Sequence, residues 1–191
     1  MKMNKWLSCL AMMLVLPCGV AKADLFDDGI AAYKKGDYAQ AARLVRLAAI
    51  QGNSCAQFSL GVMYGVGQGV IQNQQEAVKW LRLAADQRNP GAEFSLGLMY
   101  DEGQGVTQDY QEAAKWYRLA ADQGNAKAQS NLGLMYYSGR GVTQNYILAY
   151  IWFDSAANKG NGDAQKNLKI VIGHMTPEQI TEAQNMAALK R

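Results

Sequence analysis

FSLGVMYGVGQGVIQNQQEAVKWLRLAADQ, running from Phe58 to Gln87, decides how this chain is read. It returns from Phe94 as FSLGLMYDEGQGVTQDYQEAAKWYRLAADQ and, more divergent, from Ser130 as SNLGLMYYSGRGVTQNYILAYIWFDSAANK. The register never slips. Leu60, Leu96 and Leu132 are 36 residues apart, and so are Tyr64, Tyr100 and Tyr136, and Trp80, Trp116 and Trp152. A fixed period of this length marks a stacked-repeat protein. Each unit cannot bury its apolar face alone and must stack on its neighbours.

Each copy reads as two helices. The first, helix A, spans roughly Cys55 to Gly65, with Asn53, Asn89 or Asn125 as N-cap. Pro90 follows Asn89 at the first helical position, where its missing N–H costs nothing. Gly67, Gly103 and Gly139 suit a left-handed C-cap, and Gly69, Gly105 and Gly141 let the chain turn again. The second, helix B, starts at Asn73, Asp109 and Asn145. Glu76 and Glu112 lie at capping-box spacing, and Leu148 replaces them in the third copy. Ala77, Trp80, Leu81 and Ala84 fall on one stripe of helix B. Gly52, Gly124 and Gly160 end it. Arg88 takes that place once, and a left-handed Arg88 costs on the order of 1–2 kcal/mol.

The pattern Ala56–Leu60–Gly61–Tyr64–Gly67–Gly69–Val70, then Ala77–Trp80–Ala84–Ala85, resembles the Sel1-like repeat, a longer-looped relative of the tetratricopeptide repeat. The resemblance covers nearly all of the chain after residue 23. It implies an all-α fold, an α-solenoid of about four to five antiparallel helix pairs in a right-handed superhelix. It implies a binding scaffold rather than a reaction.

The predicted organisation is a signal peptide over 1–23, then a solenoid over 24–191. The solenoid divides into a degenerate first repeat (24–52), full repeats at 53–88, 89–124 and 125–160, and C-terminal capping helices (161–191). Lys2 and Lys5 precede an apolar run, Trp6 to Val15, and Ala21-Lys22-Ala23 is an A-x-A cleavage pattern. The apolar run is shorter than the about 20 residues a spanning helix needs. Lipidation at Cys18 is disfavoured by Pro17 before it. Cleavage between Ala23 and Asp24 makes the mature protein periplasmic or secreted, in a bacterial context, with no integral membrane segment. Near the other end, Thr176-Pro177-Glu178-Gln179 is a helix start with a capping box.

Loss of Lys2, Lys5 and Lys22 brings the 19 basic residues to 16, against 16 acidic ones. The mature chain is neutral, so no nucleic-acid partner is suggested. Cys9 and Cys18 leave with the leader, and Cys55 is expected to stand alone. A cysteine-rich secreted branch of the family carries a pair in every repeat, and this chain departs from it. The alternative function that branch implies is an envelope enzyme or a cell-wall binding protein acting on peptidoglycan or β-lactams. The absence of a Ser-x-x-Lys motif counts against it.

No catalytic residue, cofactor or metal site is expected. Gly67-Gln68-Gly69 lacks the lysine and Ser/Thr of a phosphate loop and recurs at a helix end, so it reads as a turn. His174 is the single histidine and has no ligand spacing around it. Trp80, Trp116 and Trp152 read as core. The informative residues lie on the opposite side of helix A from Ala56, Leu60, Met63 and Tyr64. Phe58 and Val62 project there, followed by Phe94 and Leu98, then Ser130 and Leu134, with Lys127 and Tyr137 nearby. By resemblance to the tetratricopeptide scaffold they line a concave groove for a protein or peptide partner, with Asp101 and Glu102 as an acidic rim. The competing reading packs Phe58, Val62, Phe94 and Leu98 against the neighbouring helix A.

Overall fold

The computed structural model describes residues 23 to 189. All of the predicted leader except Ala23 lies outside the described residues. Those residues form ten helices and no strand: α1 (Ala23–Lys34), α2 (Tyr38–Ile50), α3 (Ser54–Val66), α4 (Gln74–Asp86), α5 (Pro90–Glu102), α6 (Tyr110–Asp122), α7 (Ala126–Ser138), α8 (Tyr146–Ala157), α9 (Gly162–Ile172) and α10 (Pro177–Ala188). Helices α1 to α8 each pack on the next, as an α-solenoid of antiparallel pairs requires. Odd-numbered helices up to α9 are helix A of their repeat, and α2, α4, α6 and α8 are helix B.

The caps form as the spacing predicts. Asn53, Asn89 and Asn125 side chains accept from the first-turn N–H groups of α3, α5 and α7. Gly67, Gly103 and Gly139 close the same helices at φ 75°, 68° and 73°. The last turn has a further partner that spacing alone does not reveal. The amides of Gln72, Gln108 and Gln144 reach back 2.8 Å to the carbonyls of Gly65, Asp101 and Tyr137.

Two local readings are corrected. The capping box of helix B does not close on its glutamate. The backbone N–H groups of Asn73, Asp109 and Asn145 donate instead to the carbonyls of Tyr64, Tyr100 and Tyr136, at 2.9–3.0 Å. With that donor already satisfied, Glu76 and Glu112 turn to Lys79 and Lys115 three residues on. The second loop glycine does more than turn the chain. Gly69, Gly105 and Gly141 have φ near 70°, and a Cβ there would run into the backbone carbonyl of Tyr38, Gln74 and Tyr110 respectively. Each long loop therefore rests on the first turn of the preceding helix B, and glycine permits both the conformation and the approach.

The core follows the period. Leu60, Leu96 and Leu132 are fully buried, as are Met63, Met99 and Met135 behind them. Where the two helices of a repeat cross, Gly61, Gly97 and Gly133 face Leu81, Tyr117 and Phe153. A Cβ on those glycines would sit 2.5–2.8 Å from the partner side chain. The helices approach closely because one side supplies no side chain. Guanidinium groups tie successive pairs together: Arg46, Arg82 and Arg118 donate to the hydroxyls of Tyr64, Tyr100 and Tyr136.

The third helix B explains how the array ends. On α8, Ile151 and Asp154 stand where α6 has Lys115 and Arg118, and Tyr150 stands where it has Ala114. All three are buried, whereas Lys115 and Arg118 are exposed. Helix α10 folds back onto α8, with Ala183 and Ala187 in the contact. Its start carries the expected box, with Thr176 and Gln179 bonded both ways. The tryptophans differ as well: Trp152 is buried, but Trp80 and Trp116 are only partly so.

Arg88 is left-handed, with φ 62°, in the place of Gly52, Gly124 and Gly160. Cys55 is partly buried at the start of α3 and is disulfide-bonded.

Candidate functional site

One helical position, read along the solenoid, organises the site. Val62, Leu98, Leu134 and Ile170 succeed one another at the 36-residue step, with exposures of 0%, 3%, 40% and 51%. The same apolar position is sealed in the first two full repeats and open in the next two helices A.

Phe58 lies against Gly91 at the start of α5, where a Cβ would come within 2.9 Å of its Cζ. Glycine leaves room for the ring, and Phe58 and Val62 are buried. For these two residues the structure favours packing between helices over an open groove. One step on, Gly91 becomes Lys127. Phe94 is buried, its ring 5.9 Å from that of Tyr117. A further step replaces the phenylalanine by Ser130, which fills less space.

The result is a cleft of about 200 Å³ lined by Phe94, Leu98, Lys127, Ser130, Asn131, Asn161 and Asp163. It spans α5, α7 and the start of α9. Its floor is apolar, and its sides carry one cation, one anion and two amides that already bond within the chain, Asn131 to Tyr117 and Asn161 as the N-cap of α9. Lys127 makes no ion pair among the described residues, and Asp163 lies 3.7 Å from exposed Lys166. Four of the residues picked out in the sequence meet here: Phe94, Leu98, Lys127 and Ser130.

The remaining candidates sit elsewhere. Asp101 is drawn into a contact between repeats, with Arg140 Nη2 3.0 Å and 3.1 Å from its two oxygens and the Tyr117 hydroxyl at 3.4 Å. The Arg140 guanidinium lies 4.8 Å from the centre of the Tyr110 ring. Burial, with Asp101 next, holds the Tyr117 phenol well above its usual range. Glu102 is exposed and accepts from Gln104 at 2.8 Å. Leu134 is exposed and Tyr137 partly so. Tyr137 bonds His174 Nε2 at 2.9 Å, and both rings stack with Tyr146, at 5.8 Å and 5.6 Å.

Asn131, Asn161, Asp163 and Ile170 were not singled out in the sequence. Two of them carried a signal, since Asp163 follows Lys127, and Ile170 follows Leu134, by one repeat step. Among the described residues no group of three His, Cys, Asp or Glu side chains is placed to hold a metal. No described helix is long and apolar enough to cross a membrane.

The profile of the Sel1 repeat matches residues 19–53, 56–89, 90–125 and 126–161. The chain belongs to the Sel1-repeat family. The Sel1 repeat generally serves as a protein–protein interaction scaffold. Among solved structures, the chain is similar to c5321, a protective antigen of uropathogenic Escherichia coli with the same repeat fold. Identity is 40% and the TM-score 0.72, over 75% of this chain and 32% of that one. The Sel1-repeat chain therefore spans about a third of that antigen. A Sel1 repeat protein from Oxalobacter formigenes is 34% identical with a TM-score of 0.75, over 86% and 70% of the two chains. Helicobacter pylori cysteine rich protein B is 23% identical, with a TM-score of 0.53 over 78% of this chain and all of that one, a likeness of fold alone. No curated protein matches the chain.

Proposed function

We propose that this Sel1-repeat protein is an exported adaptor that holds a peptide or partner protein along the helix A face of its C-terminal half. The observation that carries the reading is the opening of one repeat position, from buried Val62 and Leu98 to exposed Leu134 and Ile170. Apolar side chains exposed in line beside a cleft of mixed polarity mark an interaction surface better than a reaction centre. Within the cleft, Phe94 and Leu98 receive an apolar side chain. Lys127 and Asp163 select charge at either side. Tyr137 continues the surface beyond Leu134. Asp101 and Glu102 flank it without forming a free acidic rim, since Asp101 is taken up by Arg140. Export rests on the basic, apolar and A-x-A pattern of residues 1–23.

The test compares capture of partners from the envelope fraction by the wild-type chain and by the L134S/I170S double variant, with circular dichroism as a folding check. A partner retained by the wild type and lost by the folded variant is the expected result. Equal capture by both would remove this face from the account.

A further inference from the structure

Glu93 holds on α5 the place that Gln57 holds on α3 and Gln129 on α7. All three side chains are buried, Glu93 completely. The two amides do the same thing. Gln57 Nε2 donates to the Ala49 carbonyl at 3.1 Å, and Gln129 Nε2 to the Ala121 carbonyl at 3.0 Å, each eight residues back. The matching carbonyl for Glu93 is that of Ala85, and a carboxylate has no hydrogen to give it.

The second departure of this repeat stands beside the first. Arg88 replaces the glycine of the other three turns, and its Nε lies 3.5 Å from Glu93 Oε1. That oxygen has no hydrogen bond, while Oε2 accepts from Gln123 Nε2 at 2.5 Å. Glutamate for glutamine and arginine for glycine thus face each other across one turn.

We propose that Arg88 and Glu93 form a proton-operated latch between α4 and α5. In neutral solution the buried carboxylate is held by Arg88 and Gln123. In mild acid it takes one proton from solvent, donates it in a hydrogen bond to the Ala85 carbonyl as the glutamine amides do, and releases the Arg88 side chain to water.

The charged groups facing Glu93 are Arg88 from the turn after α4 and Asp122 from the end of α6. Burial pushes the Glu93 carboxyl up. Gln123 and Arg88 pull it down, Asp122 adds to the rise, and the net direction is upward. A carboxyl raised on folding contributes stability that is complete below the unfolded value and is lost as pH rises through the folded one. Acidification therefore tightens this junction relative to a chain that cannot titrate there.

Urea unfolding midpoints of wild type, E93Q and R88G between pH 4 and 8 test the latch, together with carbon-13 titration of the glutamate carboxyls in the wild-type chain. E93Q is expected to unfold at higher urea than wild type at pH 7, with the gap closing toward pH 4. R88G, which removes the cation, moves both the closing and the Glu93 titration to higher pH. Protection of the Arg88 Nε proton from exchange, measured against exposed Arg43 at the same pH, falls as Glu93 is protonated. A gap that does not change with pH would overturn the proposal. So would a Glu93 carboxyl titrating in the ordinary carboxylate range and unmoved in R88G, a readout that holds even where E93Q does not fold.

Discussion

Arg140 and Asp101 meet across 39 residues of chain, the guanidinium touching both carboxylate oxygens while it rests on the Tyr110 ring. The contact joins the long loop of one repeat to the end of helix A in the repeat before. Asp101 is mostly buried and Arg140 about half exposed, so the pair lies between a surface bridge and a buried one. Replacing Arg140 by alanine is expected to lower stability by about 1–2 kcal/mol in urea unfolding. Replacement by lysine recovers only part of it, because an ammonium does not lie flat on the tyrosine. An unchanged midpoint in R140A would show that the contact adds nothing.

The sealed and open ends of the helix A stripe respond differently to the same kind of change. Truncation of Phe58 to alanine is expected to cost about 3–5 kcal/mol, as for other buried aromatics. Leu134→Ser, at a position 40% exposed, is expected to stay within about 0.5 kcal/mol of wild type. Thermal unfolding of the two variants checks this directly.

Gly105 and Gly52 both have positive φ, but only Gly105 faces a carbonyl, that of Gln74. Gly52→Ala meets nothing within 4 Å and is expected to lose about 1 kcal/mol from conformation alone. Gly105→Ala adds the collision and is expected to lose about twice that or more. Equal losses would mean that the loop does not rest on the preceding helix.

The end of the array depends on α8 having given up its polar outer face. Ile151→Lys restores the residue type that the earlier copies carry and buries a charge beneath α10. The variant is expected to lose at least about 3 kcal/mol locally. Hydrogen exchange should show α10 detached while α3 to α6 keep their protection. Uniform loss of protection would contradict a cap that docks as a separate piece.

Export makes a plain prediction at the protein level. Expressed with its own leader in a bacterial host, the chain is expected in the periplasm or the medium with Asp24 as its first residue. N-terminal sequencing reads this, and a retained Met1 in the cytoplasm would remove the export step.

Much of this molecule is written locally. The period, the asparagine N-caps, the glycine C-caps and the Thr176 box are set by residues within a few positions of one another, and each formed as read. The sequence-only reading stopped where one residue's fate lies in another repeat. Phe58 packs against Gly91, 33 residues on, so periodicity on one helix could not tell groove from core. Gly69 is constrained by Tyr38 in the helix behind it. Glu76 lost its capping role because the Tyr64 carbonyl reached the Asn73 N–H first. Ile151 and Tyr150 broke the helix B pattern openly, but the break acquires a meaning only once α10 is seen to cover it.

The central claim is that partners engage the helix A face at Leu134 and Ile170 rather than the helix B face. The most direct measurement places a photo-activated crosslinking residue singly at 134, at 170 and, as control, at 83, where Leu83 is an exposed apolar residue of helix B. Irradiation is carried out in intact cells. The account predicts one common crosslinked partner from 134 and 170 and none from 83. The same partner from 83 alone, or from all three positions equally, would contradict it.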